Sequence, residues 1–187
     1  MDRACPTSAL LLWNPGFRSR NRNTLDYLWS PWRYRYLTEP RQNVGCIFCA
    51  MAAEHDSDEG NLIVYRGTYN FIVLNRFPYT TGHLMIVPYA HACELSGIDD
   101  AAAAELMALM RTAERHLRGI YKPNGLNIGM NIGESAGAGI AGHIHMHVLP
   151  RWAGDANFMT TIGETRILPE ELSLTWRRVR DAFAFGV

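Results

Sequence analysis

An alternating run of histidines, His143-Ile144-His145-Met146-His147, constrains the fold of this chain more than any other part of its sequence. In a β-strand, successive side chains point to opposite faces, so the three imidazoles would share one face. Ile144, Met146 and Val148 would then point into a core. Three neighbouring histidines are compatible with packing, with a metal site or with phosphoryl or nucleotidyl transfer. We favour the third, because packing does not explain three imidazoles that would repel each other once protonated.

A glycine-rich segment, residues 136–142, comes directly before this predicted strand. Small residues let backbone N–H groups approach an anion closely, and several such groups together can bind a phosphate. Many glycine-rich segments only turn the chain, but the position ahead of the histidines favours a phosphate site. Of the 18 basic residues only Lys122 is a lysine. We therefore expect backbone N–H groups, the histidines and Arg151 to hold the phosphates.

The charge and the composition exclude several classes of protein. Lys and Arg together number 18, as do Asp and Glu, so the net charge is zero and no global basic field indicates nucleic acid or an anionic membrane as a partner. No Gly-Lys-Ser/Thr sequence is present, which excludes a P-loop. The apolar stretches are far shorter than the ~20 residues of a membrane span. We expect a cytoplasmic protein that binds neither nucleic acid nor membranes.

The hydrophobic pattern predicts an α+β domain built on an antiparallel sheet. An apolar stripe with Asp at its start predicts one long helix over 99–121, and Pro169 with two glutamates predicts the start of a C-terminal helix. Residues 1–24 have no periodicity and are predicted to form an irregular extension ahead of a domain at 25–187. The predicted strands span 61–66, 69–75, 83–87, 126–132 and 143–149.

Two further parts of the sequence are interpreted as exposed. The acidic stretch 54–59 is predicted to be a solvated loop, and His116 is predicted to lie on the surface of the long helix. His83, at the start of a predicted strand, fits a pocket wall and a structural role equally well.

Cys46 and Cys49 form a Cys-x-x-Cys pair, which has the spacing of zinc ligands. In a protein expected in the cytoplasm, such a pair indicates metal or redox chemistry before a structural disulfide. A tetrahedral site needs two more ligands, and His91 and His143 are the candidates. A redox pair and two buried thiols are the alternatives.

The sequence His-Ile-His-Met-His-Val-Leu resembles the motif of the histidine triad family. Residues 71–78, and 82–88 with His91, resemble the nucleotide-pocket half of the fragile-histidine-triad branch. Residues 149–158 are similar to bacterial members related to diadenosine tetraphosphate phosphorylases and hydrolases. The resemblance extends over residues 26–185 and implies the HIT-like fold, an antiparallel sheet of five strands with one long central helix and a C-terminal helix.

The resemblance implies a role for each matching histidine. His145 would attack the α-phosphate of a nucleotide and form a nucleotidyl-histidine intermediate. His147 would orient His145 and stabilise charge, and His143 would complete the catalytic triad. Covalent catalysis of this kind divides one difficult displacement at phosphorus into two.

The nucleotide would be held by residues outside the triad. Asn75 matches the position that binds ribose hydroxyls, and Asn131 resembles the asparagine that contacts the phosphates. The other predicted nucleotide-binding residues are His83, Gly137, Gly139 and Arg151.

Diadenosine tetraphosphate is the leading substrate that the resemblance implies. Hydrolases of the fragile-histidine branch have Gln four residues before the first histidine of the triad, where this chain has Gly139. The acceptor is therefore open between water, which would release AMP and ATP, and phosphate, which would release ADP and ATP. A nucleoside phosphoramidate hydrolase, another nucleotidyltransferase, a nucleotide sensor with negligible turnover and a zinc-stabilised interaction protein remain alternatives.

Related proteins, including galactose-1-phosphate uridylyltransferase, bind zinc through an equivalent Cys-x-x-Cys pair and two histidines. The resemblance therefore implies a structural zinc ion on Cys46, Cys49, His91 and His143. It also implies a homodimer in which two sheets pair edge to edge.

Overall fold

The fold is built on a five-stranded antiparallel sheet with helices packed on both of its faces. The computed structural model describes residues 45–161 and 168–185, which lie in one unit that spans 40–187. The predicted boundary between residues 24 and 25 lies outside the described residues. The strands are β1 (Ile63–Arg66), β2 (Asn70–Leu74), β3 (Leu84–Pro88), β4 (Gly125–Gly129) and β5 (Met146–Arg151), and their order in the sheet is β1-β2-β3-β5-β4.

Five α-helices accompany the sheet in the described residues, and the predicted α+β class is confirmed. Their bounds are α1 (Ile47–Ala53), α2 (Asp58–Asn61), α3 (Asp100–Tyr121), α4 (Phe158–Thr161) and α5 (Leu172–Phe185). None of the helices in the described ranges is both long and apolar enough to cross a membrane.

The long helix α3 confirms the prediction from the apolar stripe. The Asp99 side chain accepts a hydrogen bond from the N–H of Ala102 and so caps the first turn. Lys122 ends the helix in the left-handed conformation, with its N–H bonded to the carbonyl of Arg118.

Helices α3 and α5 cover one face of the sheet and form the main core. Side chains of the central strands point into it, among them Ile72, Ile86 and Val148, which are fully buried. The other face carries a smaller cluster around Phe48 of α1, which packs with Phe71 and Met85. The predicted active-site histidines lie on this second face.

The strand that contains the histidine motif differs from the prediction over 143–149, because β5 runs from Met146 to Arg151. Met146 is opposite Ile86, so Ile144 would pair with Pro88. Proline has no N–H for the ladder, and the Pro88 carbonyl accepts from the ring of His143. The N–H of Ile144 bonds instead to the carbonyl of Ala92, at 2.8 Å, so the first two histidines lie just ahead of the strand.

The other predicted strands are confirmed with shifted ends, whereas several helical details are wrong. Helix α5 begins at Leu172 and not at Pro169, because Glu170 lies in a bend and accepts hydrogen bonds from Tyr121 and Arg178. Helix α1 was not predicted, and α2 occupies part of the predicted acidic loop. Both helices are too short for a period of 3.6 residues to be recognised.

His116 is buried and not exposed, with 6% of its surface accessible. Its ring packs against Phe183 of α5, with the ring centroids 4.7 Å apart. The side of α3 that carries His116 is therefore covered by the C-terminal helix.

Candidate active site

The three histidines of the motif lie together between the sheet and helix α1. They are all buried, with His143 0%, His145 4% and His147 9% accessible. The ring of Phe48 contacts two of them, at centroid distances of 5.5 Å from His143 and 5.1 Å from His145. His147 is paired with Met85 of β3, which places it on the face that α1 partly covers.

His145 has one ring nitrogen engaged by the backbone. Its Nδ1 lies 3.0 Å from the carbonyl oxygen of His143. A carbonyl oxygen can only accept, so Nδ1 carries the proton and the neutral ring keeps a lone pair on Nε2. Burial lowers the pKa of His145, which favours this neutral form.

His147 is oriented by a second buried histidine, His83. The backbone N–H of Tyr79 donates to Nδ1 of His83 at 3.2 Å, so the proton of His83 is on Nε2. This Nε2–H donates to Nδ1 of His147 at 2.9 Å. Neutral His147 therefore carries its own proton on Nε2, from which it can donate to a substrate. Burial and the neighbouring His145 lower the pKa of His147 to about 4.

The backbone turn at Gly82 positions His83. Gly82 has φ of +76°, and a Cβ atom there would lie 2.9 Å from the ring of Tyr121. Only glycine fits this conformation and this space.

His143 has different ring partners from the other two histidines of the motif. Its Nε2–H donates to the carbonyl of Pro88 at 2.9 Å, which leaves a lone pair on Nδ1. Nδ1 lies 3.1 Å from Sγ of Cys46 and 3.6 Å from Sγ of Cys49. This is the arrangement of a histidine that binds a metal through Nδ1 and is held by a hydrogen bond on its other nitrogen.

Cys46, Cys49, His91 and His143 form a possible metal site. The ligand atoms all lie within 4.8 Å of one another, and Nδ1 of His91 is 3.3 Å from Sγ of Cys49. Neighbouring ligand atoms of a tetrahedral zinc ion are separated by roughly 3.3–3.8 Å, given its bond lengths. Two thiols and two imidazoles are also the donors that zinc prefers. The donor types fit zinc, and three separations between these atoms, 3.1, 3.3 and 3.6 Å, are close to this range.

Of the predicted nucleotide-binding residues, Asn75 and His83 have contacts in the region of the histidines. Asn75 follows β2, where its Oδ1 accepts the N–H of Phe77 and its Nδ2 lies 3.4 Å from Nδ1 of His83. Asn131 is half-buried between β4 and the glycine-rich segment. In that segment Gly137 has φ of +88°, and Gly139 belongs to the turns that lead to His143.

Arg151 lies at the far end of β5, roughly 13 Å along the strand from His147. Its guanidinium donates to both carboxylate oxygens of Asp155, at 2.6 and 2.7 Å, and to Oδ1 of Asn127. The structure therefore does not bring Arg151 to the histidines, and its predicted role in phosphate binding stays a prediction.

Sequence reasoning missed residues that act through the histidines. Phe48 supports two of the rings, the amide of Tyr79 orients His83, and the carbonyl of Pro88 orients His143. Backbone groups carry no sequence signal for such a role. Phe48, between the two cysteines, was recognisable only as an apolar residue.

Comparisons with known proteins find relatives that match most of the chain. A sequence model of the HIT domain matches residues 58–154. A Mycobacterium tuberculosis protein named AP-4-A phosphorylase is 41% identical over 169 residues, which are 87% of this chain and 87% of that protein. A HIT-like protein of Saccharolobus solfataricus is 32% identical over 61% of this chain and 79% of its own length.

Solved structures have the same fold. A zinc-bound histidine triad family protein from Mycobacterium smegmatis has a TM-score of 0.60 and 28% identity, over 75% of this chain and 94% of that one. A histidine triad nucleotide-binding protein from Sulfolobus tokodaii has a TM-score of 0.60 over 75% of this chain and 97% of its own. At 24% identity, the second shows the fold alone.

Proposed function

This chain belongs to the HIT domain family, and we propose that it is an enzyme that transfers a nucleotidyl group from a dinucleoside polyphosphate to a second acceptor. The relative named AP-4-A phosphorylase supports diadenosine tetraphosphate as the substrate. The observation that carries the proposal is the hydrogen bond from Nδ1 of His145 to the carbonyl of His143, because it leaves a lone pair on Nε2.

The first step is attack of His145 Nε2 on the α-phosphorus. A P–N bond forms, and the P–O bond to the leaving nucleoside triphosphate breaks. The hydrogen bond from His83 fixes the proton of His147 on Nε2. This N–H donates to the phosphate oxygens that gain negative charge during the transfer. Asn131, Gly137 and Gly139 are proposed to bind the phosphates, and Asn75 the ribose.

The second step transfers the nucleotidyl group from His145 to the acceptor. Water would release AMP, and inorganic phosphate would release ADP. In either case the P–N bond breaks and the imidazole is restored. Product analysis with diadenosine tetraphosphate distinguishes the two, because ADP that forms only when phosphate is added identifies a phosphorylase.

We propose that the four metal-site residues bind one structural zinc ion per chain. The tautomer of His143 and the distances between the ligand atoms support this. Bound zinc would crosslink the start of α1 to the segment before β5 and so hold Phe48 against the catalytic histidines. The ion would take no part in bond making at phosphorus.

We also propose a homodimer that pairs the sheets edge to edge through β4. Residues 127–129 of this edge strand are exposed, whereas β1, at the other edge, packs against α5. An uncovered edge strand offers unpaired N–H and C=O groups to a second copy.

Trapping the intermediate tests the enzymatic proposal. Acid-quenched protein incubated with diadenosine tetraphosphate labelled at the α-phosphate should carry label on His145, and His145→Ala should carry none. His55→Ala, at an exposed histidine, is the matched control and should label like the wild type. Nucleotide binding without label or turnover in the wild type would instead identify a sensor and reject the enzyme.

A further inference from the structure

A cavity of about 640 Å³ lies at the far end of β5, and its wall includes Tyr79, whose ring centroid is 6.3 Å from that of His147. This volume is in the range of small-molecule sites, about 300–1,000 Å³. Three aromatic side chains line it, Tyr79, Tyr121 and Trp152. Thr80 and Thr81 line it as well, and the Oγ1 of each is buried without a partner among the described residues. The cavity therefore has ring surfaces as walls, and the two threonine hydroxyl oxygens are buried behind its surface.

The cavity reaches strands that the predicted ribose contact does not reach. Asn75 is bonded to His83 through its backbone N–H, at the β2 side of β3. The cavity is lined by Leu149 of β5 and Asn127 of β4, on the other side of β3. Leu149 is two residues beyond His147, so its side chain lies on the same face of the strand, roughly 7 Å further along. A substrate with a group at each end could bridge the two places across His147.

The charges in the cavity favour an uncharged group over phosphates. Its described lining contains one cation, Arg151, which is bound by Asp155. It also contains Glu170, which accepts from Arg178 and from the hydroxyl of Tyr121. The lining thus has no unpaired cation in its described part, and polyphosphate would gain little there.

We propose that this cavity binds the second nucleoside of a dinucleoside polyphosphate, the one that leaves with the departing phosphates. The inference rests on the proposed function and extends it by giving the substrate two nucleoside subsites. The base would stack on the aromatic walls formed by Tyr79, Tyr121 and Trp152. The phosphate chain would span the distance between the cavity and His145.

A comparison of two substrates tests the contribution of this subsite separately from that of the rest of the active site. Diadenosine tetraphosphate has two nucleosides, and adenosine 5′-tetraphosphate has the same phosphate chain with one.

Ala156→Trp fills the cavity from an exposed lining position, and Ala153→Trp adds the same ring at an exposed position that does not line it. The ratio of kcat/KM for the two-nucleoside substrate to that for the one-nucleoside substrate should fall about tenfold in Ala156→Trp, since base stacking is of that size. Ala153→Trp should keep the wild-type ratio.

A binding measurement keeps the test independent of turnover. Adenosine alone should shift the indole N–H signal of Trp152 in NMR spectra of the full-length, zinc-loaded His145→Ala protein, and adding Ala156→Trp should abolish the shift. Turnover of neither substrate by the wild type would reject the proposed function and leave the cavity to be decided by this titration. An unchanged ratio in Ala156→Trp, or no adenosine-dependent shift at Trp152, would overturn the second subsite.

Discussion

At the residue scale, the hydrogen bond on one side of each imidazole determines what the other side can do. His145 donates through Nδ1 to a carbonyl and presents a lone pair on Nε2. His147 accepts at Nδ1 from His83 and presents a proton on Nε2. His143 donates through Nε2 and presents a lone pair to the two thiols. Three identical side chains thus have three different chemical capacities.

The role of His83 gives a prediction at this scale. His83→Phe should lower kcat by about 10²-fold, the contribution of a positioned proton donor, with little change in KM. The physical reason is that His147 loses its donor at Nδ1 and can then hold its proton on the wrong nitrogen. Steady-state kinetics measure the first effect, and ¹⁵N chemical shifts of the His147 ring measure the second.

The conservative variant His83→Gln is the control. An amide can accept from Tyr79 and donate to His147, so it should recover much of kcat and the wild-type tautomer. A His83→Phe protein with wild-type kcat would show that His83 is needed only for packing.

At the scale of elements, helix α1 packs against the histidines through Phe48. The possible metal site connects the start of this helix to the segment before β5. The helix has seven residues, too few to be stable alone. It is anchored by Phe48 in the sheet and by Arg66, which donates to the carbonyls of Met51, Ala52 and Glu54 at its end.

Loss of the Cys49 thiol should therefore weaken zinc binding and destabilise helix α1. Cys49→Ser should bind far less than the expected one zinc per chain and should unfold at a free energy several kcal/mol lower, because metal-binding energy is folding energy in such sites. Elemental analysis and urea denaturation measure the two effects. Cys93→Ser, at an exposed cysteine outside the cluster, should keep both zinc and stability. A metal-free wild-type protein that is folded and active would reject the zinc proposal.

The contact between α3 and α5 gives a second prediction at this scale. The Nδ1 of His116 is buried without a partner in the described structure, beside Phe183. His116→Leu should raise the free energy of unfolding at pH 7 by about 1 kcal/mol, because it removes an unsatisfied polar group. Met107→Leu, at an exposed position of the same helix, should change it little.

The same variant should also change how stability depends on pH. Burial, and then the charge of Arg115, lowers the pKa of His116, so the unfolded chain binds this proton more readily. The stability from this group is present above pH 6.5, the ordinary value, and is lost as the pH falls below it. Urea denaturation of zinc-loaded protein at pH 7 and pH 5.5 should show a smaller loss for His116→Leu than for the wild type. An equal loss of unfolding free energy in the two proteins would contradict the attribution of this pH dependence to His116.

At the scale of the whole molecule, the two edge strands differ among the described residues, because residues 127–129 of β4 are exposed whereas β1 contacts α5. Ile128 of β4 is 40% accessible, an apolar side chain on the exposed edge strand. Ile128→Lys should convert the proposed homodimer into a monomer, because a charge would be buried where the two sheets meet. Light scattering after size-exclusion chromatography measures the mass.

Leu95→Lys is the matched control for the dimer. Leu95 is 48% accessible and lies in a 3₁₀ turn away from β4, so this variant should stay dimeric. A wild-type protein that is monomeric at micromolar concentration would reject the proposed interface.

The sequence by itself determined the α+β class and the long helix, and it supplied the residues that we propose for the chemistry. These follow from local periodicity, from the capping residue Asp99 and from the motif at 143–147. Each of these patterns is complete within a short stretch of chain. The candidate metal ligands could likewise be named from the Cys-x-x-Cys spacing and the family resemblance, and the structure brings the four together.

Only the tertiary structure decided three features. These are the residue at which β5 begins, the face of α3 that α5 covers, and the ring nitrogen of each histidine that is left for a substrate or a metal. Pro88 excludes the first two histidines from the ladder, α5 buries His116, and partners from distant segments hold each imidazole. All three depend on contacts between residues far apart in the chain, and one sequence carries no local signal for such contacts. Hydrophobic periodicity in the sequence indicates that a side chain is packed against another element. Only the tertiary packing determines which residue of that element it contacts.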